Sequence, residues 1–171
     1  MSVIRELDAE ETRARAGELA RLLLDGHASG MALGLPAPLT DDAARQAYLD
    51  TAARLAPGER MLLAAFDGDV VVGAVQLDRA GGNGRHRAEL RRLAVRADRR
   101  GEGLGRALLE AAVAHARTVG LTLLWLTTHV ETDAEAIYER LGWTRAGSFP
   151  NWAERPDGSL AANSLWYLEL E

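Results

Sequence analysis

Cysteine is absent from this chain. With it go disulfides, thiolate nucleophiles and any zinc site built on sulfur. Histidine is scarce, and the four present, His27, His86, His115 and His129, show neither the HxH nor the HExxH spacing that sets two imidazoles together. No metal site is therefore expected. Long apolar runs are missing as well: none approaches the ~18 residues of a membrane-spanning helix. The opening MSVIRELDAEETRARAG carries acidic side chains and no apolar stretch of the kind a secretory signal uses. A cytoplasmic protein with no membrane partner is expected. Aromatics make up only 5%, so a core has to be built mainly from Ala, Leu and Val.

What is present suits that task. Over 171 residues, 47% are hydrophobic and 26% charged, an ordinary globular composition. The length suits one core, hence one domain over residues 1–171. The net charge is −5, yet arginines gather between residues 84 and 106. An acidic protein with one basic cluster argues against a nucleic-acid surface and fits a small polyanion. The competing reading is a solvated arginine face.

Pattern and punctuation place the elements. Val3-Ile4-Arg5-Glu6-Leu7 reads as a first strand. Residues 10–25 read as a helix with Ala16, Leu19, Ala20 and Leu23 on one face. GHASGMALGLPAPL (26–39) reads as a loop. Thr40 is an N-cap ahead of Asp41 and Asp42, which suit a helix start; that helix runs to about Leu55. MLLAAF (61–66) and VVVGAVQL (70–77) form a hairpin around Asp67-Gly68. RAELRRLAV (87–95) is a further strand, 103–118 an Ala/Leu-rich helix, and LTLLWLTT (121–128) a buried strand. Thr132-Asp133-Ala134-Glu135 matches a capping box for a short helix ending at Gly142. Two last strands, about 143–148 and 161–170, flank the turn Pro156-Asp157-Gly158. The implied fold class is mixed α/β, one mostly antiparallel sheet with helices on both faces.

The most informative segment is Arg96–Leu109, where a strand passes through Gly101-Glu102-Gly103-Leu104-Gly105-Arg106 into a helix. Glycines let the backbone bend and admit a ligand with no Cβ in the way. The first amides of the helix are unpaired and carry its positive dipole end. Such a loop holds phosphate or pyrophosphate. The spacing is not GxGxxG and no GK[ST] follows, so the dinucleotide and triphosphate loops are excluded.

Arg100, Gly103 and Gly105 instead make an RxxGxG pattern, which resembles the pyrophosphate loop of the GNAT superfamily of N-acetyltransferases. ELRRLAV before it resembles that family's fourth strand, and Ala134-Glu135-Ala136-Ile137-Tyr138-Glu139-Arg140-Leu141-Gly142-Trp143 is similar to its AxxLYExxGF segment. Asn83–Glu89 and Ser148–Gly158 are similar to the tabtoxin-resistance subgroup of the family, with its HRAE strand start and its PDG-ending segment. The resemblance implies acetyl-CoA as co-substrate and no metal. It implies acetylation of a small, amino-acid-like amine, such as a toxin or antibiotic, by a monomer or homodimer. It implies a sheet splayed open between the strands at 87–97 and 121–128. The pantetheine arm would lie along Leu93, Ala94 and Val95, and the pyrophosphate on Arg100, Gly101, Gly103, Leu104, Gly105 and Arg106, with Ala134 and Tyr138 beside it. The chain departs from the pattern at Glu131, where the family often has Asn, and at Thr127 and Trp152, where the subgroup has Asp and Tyr.

Chemistry narrows the catalytic candidates to two. Tyr138, a phenol of pKa ≈ 10, suits donation to a thiolate whose conjugate acid has pKa ≈ 8.5; the alternative is an aromatic that only packs. Glu89, at a strand end, is the candidate general base; the alternative is an ion pair with a nearby arginine. Thr127 and Trp152 are candidates for the acceptor pocket, Trp152 from a loop. Trp125 reads as core, His86 as a structural or rim residue on the strand face opposite Glu89, and His115 and His129 as core or surface. Peptide or protein N-acetylation and a non-catalytic acetyl-CoA sensor remain the alternatives.

Overall fold

A computed structural model describes residues 2–31 and 33–171. Its strands are β1 (Val3–Glu6), β2 (Arg60–Asp67), β3 (Val70–Arg79), β4 (Arg87–Val95), β5 (Leu123–His129), β6 (Thr144–Glu154) and β7 (Leu160–Glu169). They form one sheet in the order β1-β2-β3-β4-β5-β7-β6. Every neighbouring pair is antiparallel except β4 and β5.

Helices cover both faces. Helices α1 (Ala9–Ala14), α2 (Ala16–Ala28) and α3 (Asp41–Leu55) pack on one side; α4 (Leu104–Thr118) and α5 (Asp133–Arg140) pack on the other. Strand β2 reads as an unbroken apolar run for this reason. Its Met61, Leu63 and Ala65 face the α4 side, and its Leu62, Ala64 and Phe66 face the α3 side. Packing is tight where α4 crosses β3. A Cβ on Gly73 would lie 2.8 Å from Leu108 Cδ1, and Leu108 is fully buried. Leu108→Ala is expected to cost ~3 kcal/mol, because the sheet cannot collapse into the void; urea unfolding measures it.

Local signals and tertiary contacts disagree in four places. The helix expected over 10–25 breaks at Arg15 (φ −100°, ψ 12°). There the guanidinium leaves the helix line to bind the Asp69 carbonyl at 2.8 Å and to stack over Phe66. The second helix then runs on to Ala28, so Gly26 and His27 are helical rather than loop. The β2–β3 turn is Gly68-Asp69, one residue later than expected; Asp67 pairs with Val70, and Gly68 takes the left-handed conformation at φ +59°. The capping box at 132–135 is not formed: Thr132 Oγ1 donates to the His129 carbonyl, and Glu135 accepts from the Glu131 amide. By contrast, Thr40 caps α3, accepting from Ala43 N at 3.2 Å.

The sheet opens where the family resemblance implied. Strands β4 and β5 pair only over Arg87–Glu89 and Leu123–Trp125. Beyond that, β5 continues with β7 and β4 with β3. A bulge helps to drive them apart: Arg92 has φ +50°, and the β3–β4 register shifts there. An extra residue bends and twists a strand away from its neighbour.

Candidate active site

The bulge also sorts side chains. Glu89 and Arg91 face the α3 side of the sheet, as does Ala94. Leu93 and Val95 pack on the α4 side. At the vertex of the opening, one row of residues crosses six strands: Arg60, Asp78, Glu89, Trp125, Tyr167 and Thr144, each the register partner of the next.

Glu89 is half-buried at the centre of this row. Its carboxylate makes no hydrogen bond to another described residue; the nearest cation is Arg91, with Nε 3.6 Å from Oε1. Both readings of Glu89 therefore meet: an ion-pair partner is present, but beyond hydrogen-bond reach. Burial pushes the carboxyl up from its ordinary value, Arg91 pulls it down, and Asp78 adds to the rise. A proton acceptor with free lone pairs and raised basicity is what general base catalysis requires.

Tyr138 lies on the opposite face. It is buried against Trp143 and Trp166, with ring centroids 5.8 and 6.2 Å away. Burial pushes its phenol up to about 12. Its hydroxyl has no hydrogen-bond partner among the described residues. Glu89 and Tyr138 thus lie on opposite faces of the sheet.

The glycine loop runs from the end of β4 to α4. Gly101 and Gly103 hold φ of +82° and +81°, and open space lies where each would carry a Cβ. None of the amides from Gly101 to Arg106 donates to a protein acceptor among the described residues; the first of this region to do so is Ala107, to Gly103 O. Amides without a partner at a helix N-terminus are the groups from which an anion cradle is built. Gly105 differs: a Cβ there would point at Val95 Cγ2, 3.9 Å away.

The arginines contribute less than the sequence suggested. Arg100 is spent on the protein, donating from Nη2 to Asp25 O at 3.0 Å and from Nε to Val95 O at 3.2 Å, with Ser29 Oγ a third partner. It braces the loop against the end of α2 rather than pointing at the cradle. Arg99 pairs with Asp67 and Glu102, Arg96 with Asp98, and Arg106 through Nε with Glu110. Backbone amides, not a basic patch, set the loop's polarity. Leu104 offers only its amide, since its side chain is core, and Ala134 packs beside the α4-side core.

Of the acceptor candidates, Thr127 shares the sheet face of Glu89. Trp152 does not meet it. It lies in edge strand β6, not in a loop, and β7 stands between it and β5. There it stacks on Phe149 at 4.7 Å. Pro150 is tolerated in β6 because an edge strand leaves amides unpaired. Trp125 is a correction of the other kind. In LLWLTT, Leu124 and Leu126 enter the core, so period two turns Trp125 to the face of Glu89. Tyr167 stands beside it. That alternation was the available signal. His129 shares the face and bonds Asn163 through Nδ1 at 2.8 Å.

Residues 33–39 approach the same face. Leu33, Leu35 and Leu39 pack on the α3-side core. A Cβ on Gly34 would lie 2.7 Å from Arg91 Nη2, so the loop backbone rests on that guanidinium.

Known proteins resemble this chain in sequence and in fold. The model of the acetyltransferase (GNAT) family matches residues 32–143. An IAA acetyltransferase of Azospirillum brasilense is 36% identical over 110 residues, 63% of this chain and 69% of that protein. Three solved structures share the fold. An N-acetyltransferase from Staphylococcus aureus Mu50 superposes with TM-score 0.81 at 18% identity, over 100% of this chain and 99% of its own. The yncA protein of Salmonella typhimurium, solved with its cofactor acetyl-CoA, gives 0.79 at 21%, over 99% and 94%. A ribosomal-protein-alanine N-acetyltransferase from Brucella melitensis gives 0.80 at 21%, over 98% and 99%. No helix among the described residues is long and apolar enough to cross a membrane.

Proposed function

The chain belongs to the acetyltransferase (GNAT) family, and from that premise we propose that residues 1–171 act as one acetyl-CoA-dependent N-acetyltransferase of the tabtoxin-resistance type. Its acceptor would be the primary amine of a small, amino-acid-like molecule. The observation that carries this is the half-buried Glu89 carboxylate, free of hydrogen bonds, at the vertex of an opening that leads to the amide cradle.

The residues present fit the co-substrate. The amides of 101–106 would hold the pyrophosphate, and open space lies where Gly103 would carry a Cβ. Leu93, Ala94 and Val95 offer an unpaired β4 edge to the pantetheine arm. When bound, acetyl-CoA supplies the activated acetyl group as a thioester. Glu89 accepts the amine proton, directly or through water. Tyr138 Oη holds its proton throughout the physiological range. With its phenol near 12, complete transfer to a thiolate of pKa ≈ 8.5 is uphill by ~5 kcal/mol. Tyr138 therefore acts as a hydrogen-bond donor to the departing sulfur more than as a proton source. Tyr138→Phe keeps the ring and its packing; kcat is expected to fall ~10²-fold with little change in acetyl-CoA affinity. Equal kcat for the two proteins in single-turnover assays would remove Tyr138 from the chemistry.

The substrate class rests on the loop. Residues 33–39 reach the guanidinium beside Glu89, which narrows the acceptor side and favours a small molecule over a protein N-terminus. The test is an amine panel with acetyl-CoA, read by release of free thiol. It includes amino acids, an alanine-terminated peptide and, because of the relative's name, IAA. Turnover of the small amines supports the proposal; turnover of the peptide alone overturns it. Thiol release from none of them, with acetyl-CoA bound, would leave a sensor domain.

A further inference from the structure

Glu89 has an arginine two residues away on its own strand face and yet accepts no hydrogen bond from it, the nearest approach being 3.6 Å. The reason lies across the ladder. Asp78 is only 12% exposed, and both of its oxygens are engaged. Oδ1 lies 3.0 Å from Arg60 Nε and accepts from Gln76 Nε2, and Oδ2 lies 3.3 Å from Arg91 Nη1. This carboxylate is itself anchored. Gln76 is fully buried and accepts from Thr51 Oγ1 of α3 at 2.9 Å, and Thr51 accepts from Arg60 Nη1 at 3.2 Å. On its other side, Arg91 is confined by Gly34. With Nη1 held by Asp78 and Nη2 against the loop, Arg91 presents Glu89 only its Nε, at 3.6 Å.

We propose that Asp78 is a positioning residue: by holding Arg91 it keeps that guanidinium from closing on Glu89 and leaves the carboxylate open to the acceptor amine. The assignment rests on Glu89 as the base. The charged groups acting on Glu89 are Arg91 from its own strand, Asp78 from β3 and Arg60 from β2; Arg92, at the bulge, turns to the Ala47 carbonyl of α3. Tyr48 of α3 and Tyr167 of β7 lie beyond them; the β5 neighbour, Trp125, carries no charge. Released from Asp78, Arg91 would form a two-pronged pair with Glu89, the strong geometry for a guanidinium and a carboxylate. The base would be occupied, and its proton affinity would fall.

The test is titration of Glu89 by NMR in the full chain labelled at glutamate Cδ, its resonance identified by its loss in Glu89→Gln. No acceptor is needed, so failure here is separable from failure of the amine panel. Asp78→Asn is expected to lower the Glu89 midpoint by about one unit, and Arg91→Gln to raise it by a similar amount, the scale of one nearby charge. The double variant is expected to fall below Arg91→Gln only by the direct charge effect of Asp78, a smaller shift than Asp78→Asn gives with Arg91 present, because Asp78 acts mainly through Arg91. With the best amine of the panel, Asp78→Asn should lower kcat/KM at least tenfold and the double variant should recover part of it. An unmoved midpoint in Asp78→Asn overturns the proposal. So does an equal shift with and without Arg91, which would make Asp78 a bare charge. If Asp78→Asn alone does not fold, Arg91→Gln and the double variant still decide: a full unit between their midpoints overturns the proposal.

Discussion

Replacing Glu89 by Gln is expected to lower kcat/KM by ~10²–10³-fold on a verified amine and to abolish the acidic limb of its pH profile. The base works only when unprotonated, so the wild-type rate falls as pH drops through the Glu89 pKa. Burial raises that pKa against the pull of Arg91, which moves the limb toward neutral pH. The same shift has a stability consequence of opposite sign to the usual carboxylate. A carboxyl whose folded pKa is raised stabilises the fold below its unfolded pKa, and that contribution is lost as pH rises through the folded value. Glu89→Gln is therefore expected to melt at or above the wild-type temperature at pH 7 and to show no gain at pH 4. An activity loss with a Tm gain separates a strained catalytic group from a structural one. Unchanged kcat/KM, with the chemical step rate-limiting, would mean that the amine loses its proton before binding and that the protein acts by proximity alone.

Gly103→Val carries the other large effect. Gly103 is the left-handed N-cap of α4, with φ +81° and open space where a side chain would project. A β-branched residue disfavours that conformation by ~1–2 kcal/mol or more, and its methyls would enter the space the cradle faces. Acetyl-CoA binding is expected to weaken at least tenfold, ~1.4 kcal/mol, by calorimetry. Because Arg96, Arg99 and Arg106 are already paired, the salt dependence of binding should be shallow in both proteins. Equal affinities would show that the loop is not the cradle.

Short-range chemistry was legible in the chain itself. The hairpin at 67–69, the Thr40 cap, the turn at Pro156–Gly158, where Asp157 accepts from Ser159 N at 2.9 Å, and the glycine loop before α4 all depend on the conformational preferences of a few adjacent residues. So did the order of strands and helices, because apolar periodicity is written locally. The family resemblance supplied the opening between β4 and β5, which no local pattern encodes.

Contacts between distant segments decided the rest. Arg15 breaks a helix because Asp69 and Phe66 lie beside it. Arg100 braces the loop because α2 ends beneath it, 75 residues away in sequence from Asp25 to Arg100. The arginine cluster looked like a patch for a polyanion, but three of its members, Arg96, Arg99 and Arg106, are met by Asp67, Asp98, Glu102 and Glu110, and Arg100 is held by two carbonyls and a hydroxyl. The row Arg60–Asp78–Glu89–Trp125–Tyr167 exists only once strand register is set. A sequence specifies each residue's chemistry and its preferred backbone. Whether a carboxylate is paired or left open to act as a base depends on which charges the ladder brings alongside it, and that follows from strand pairing across the whole sheet.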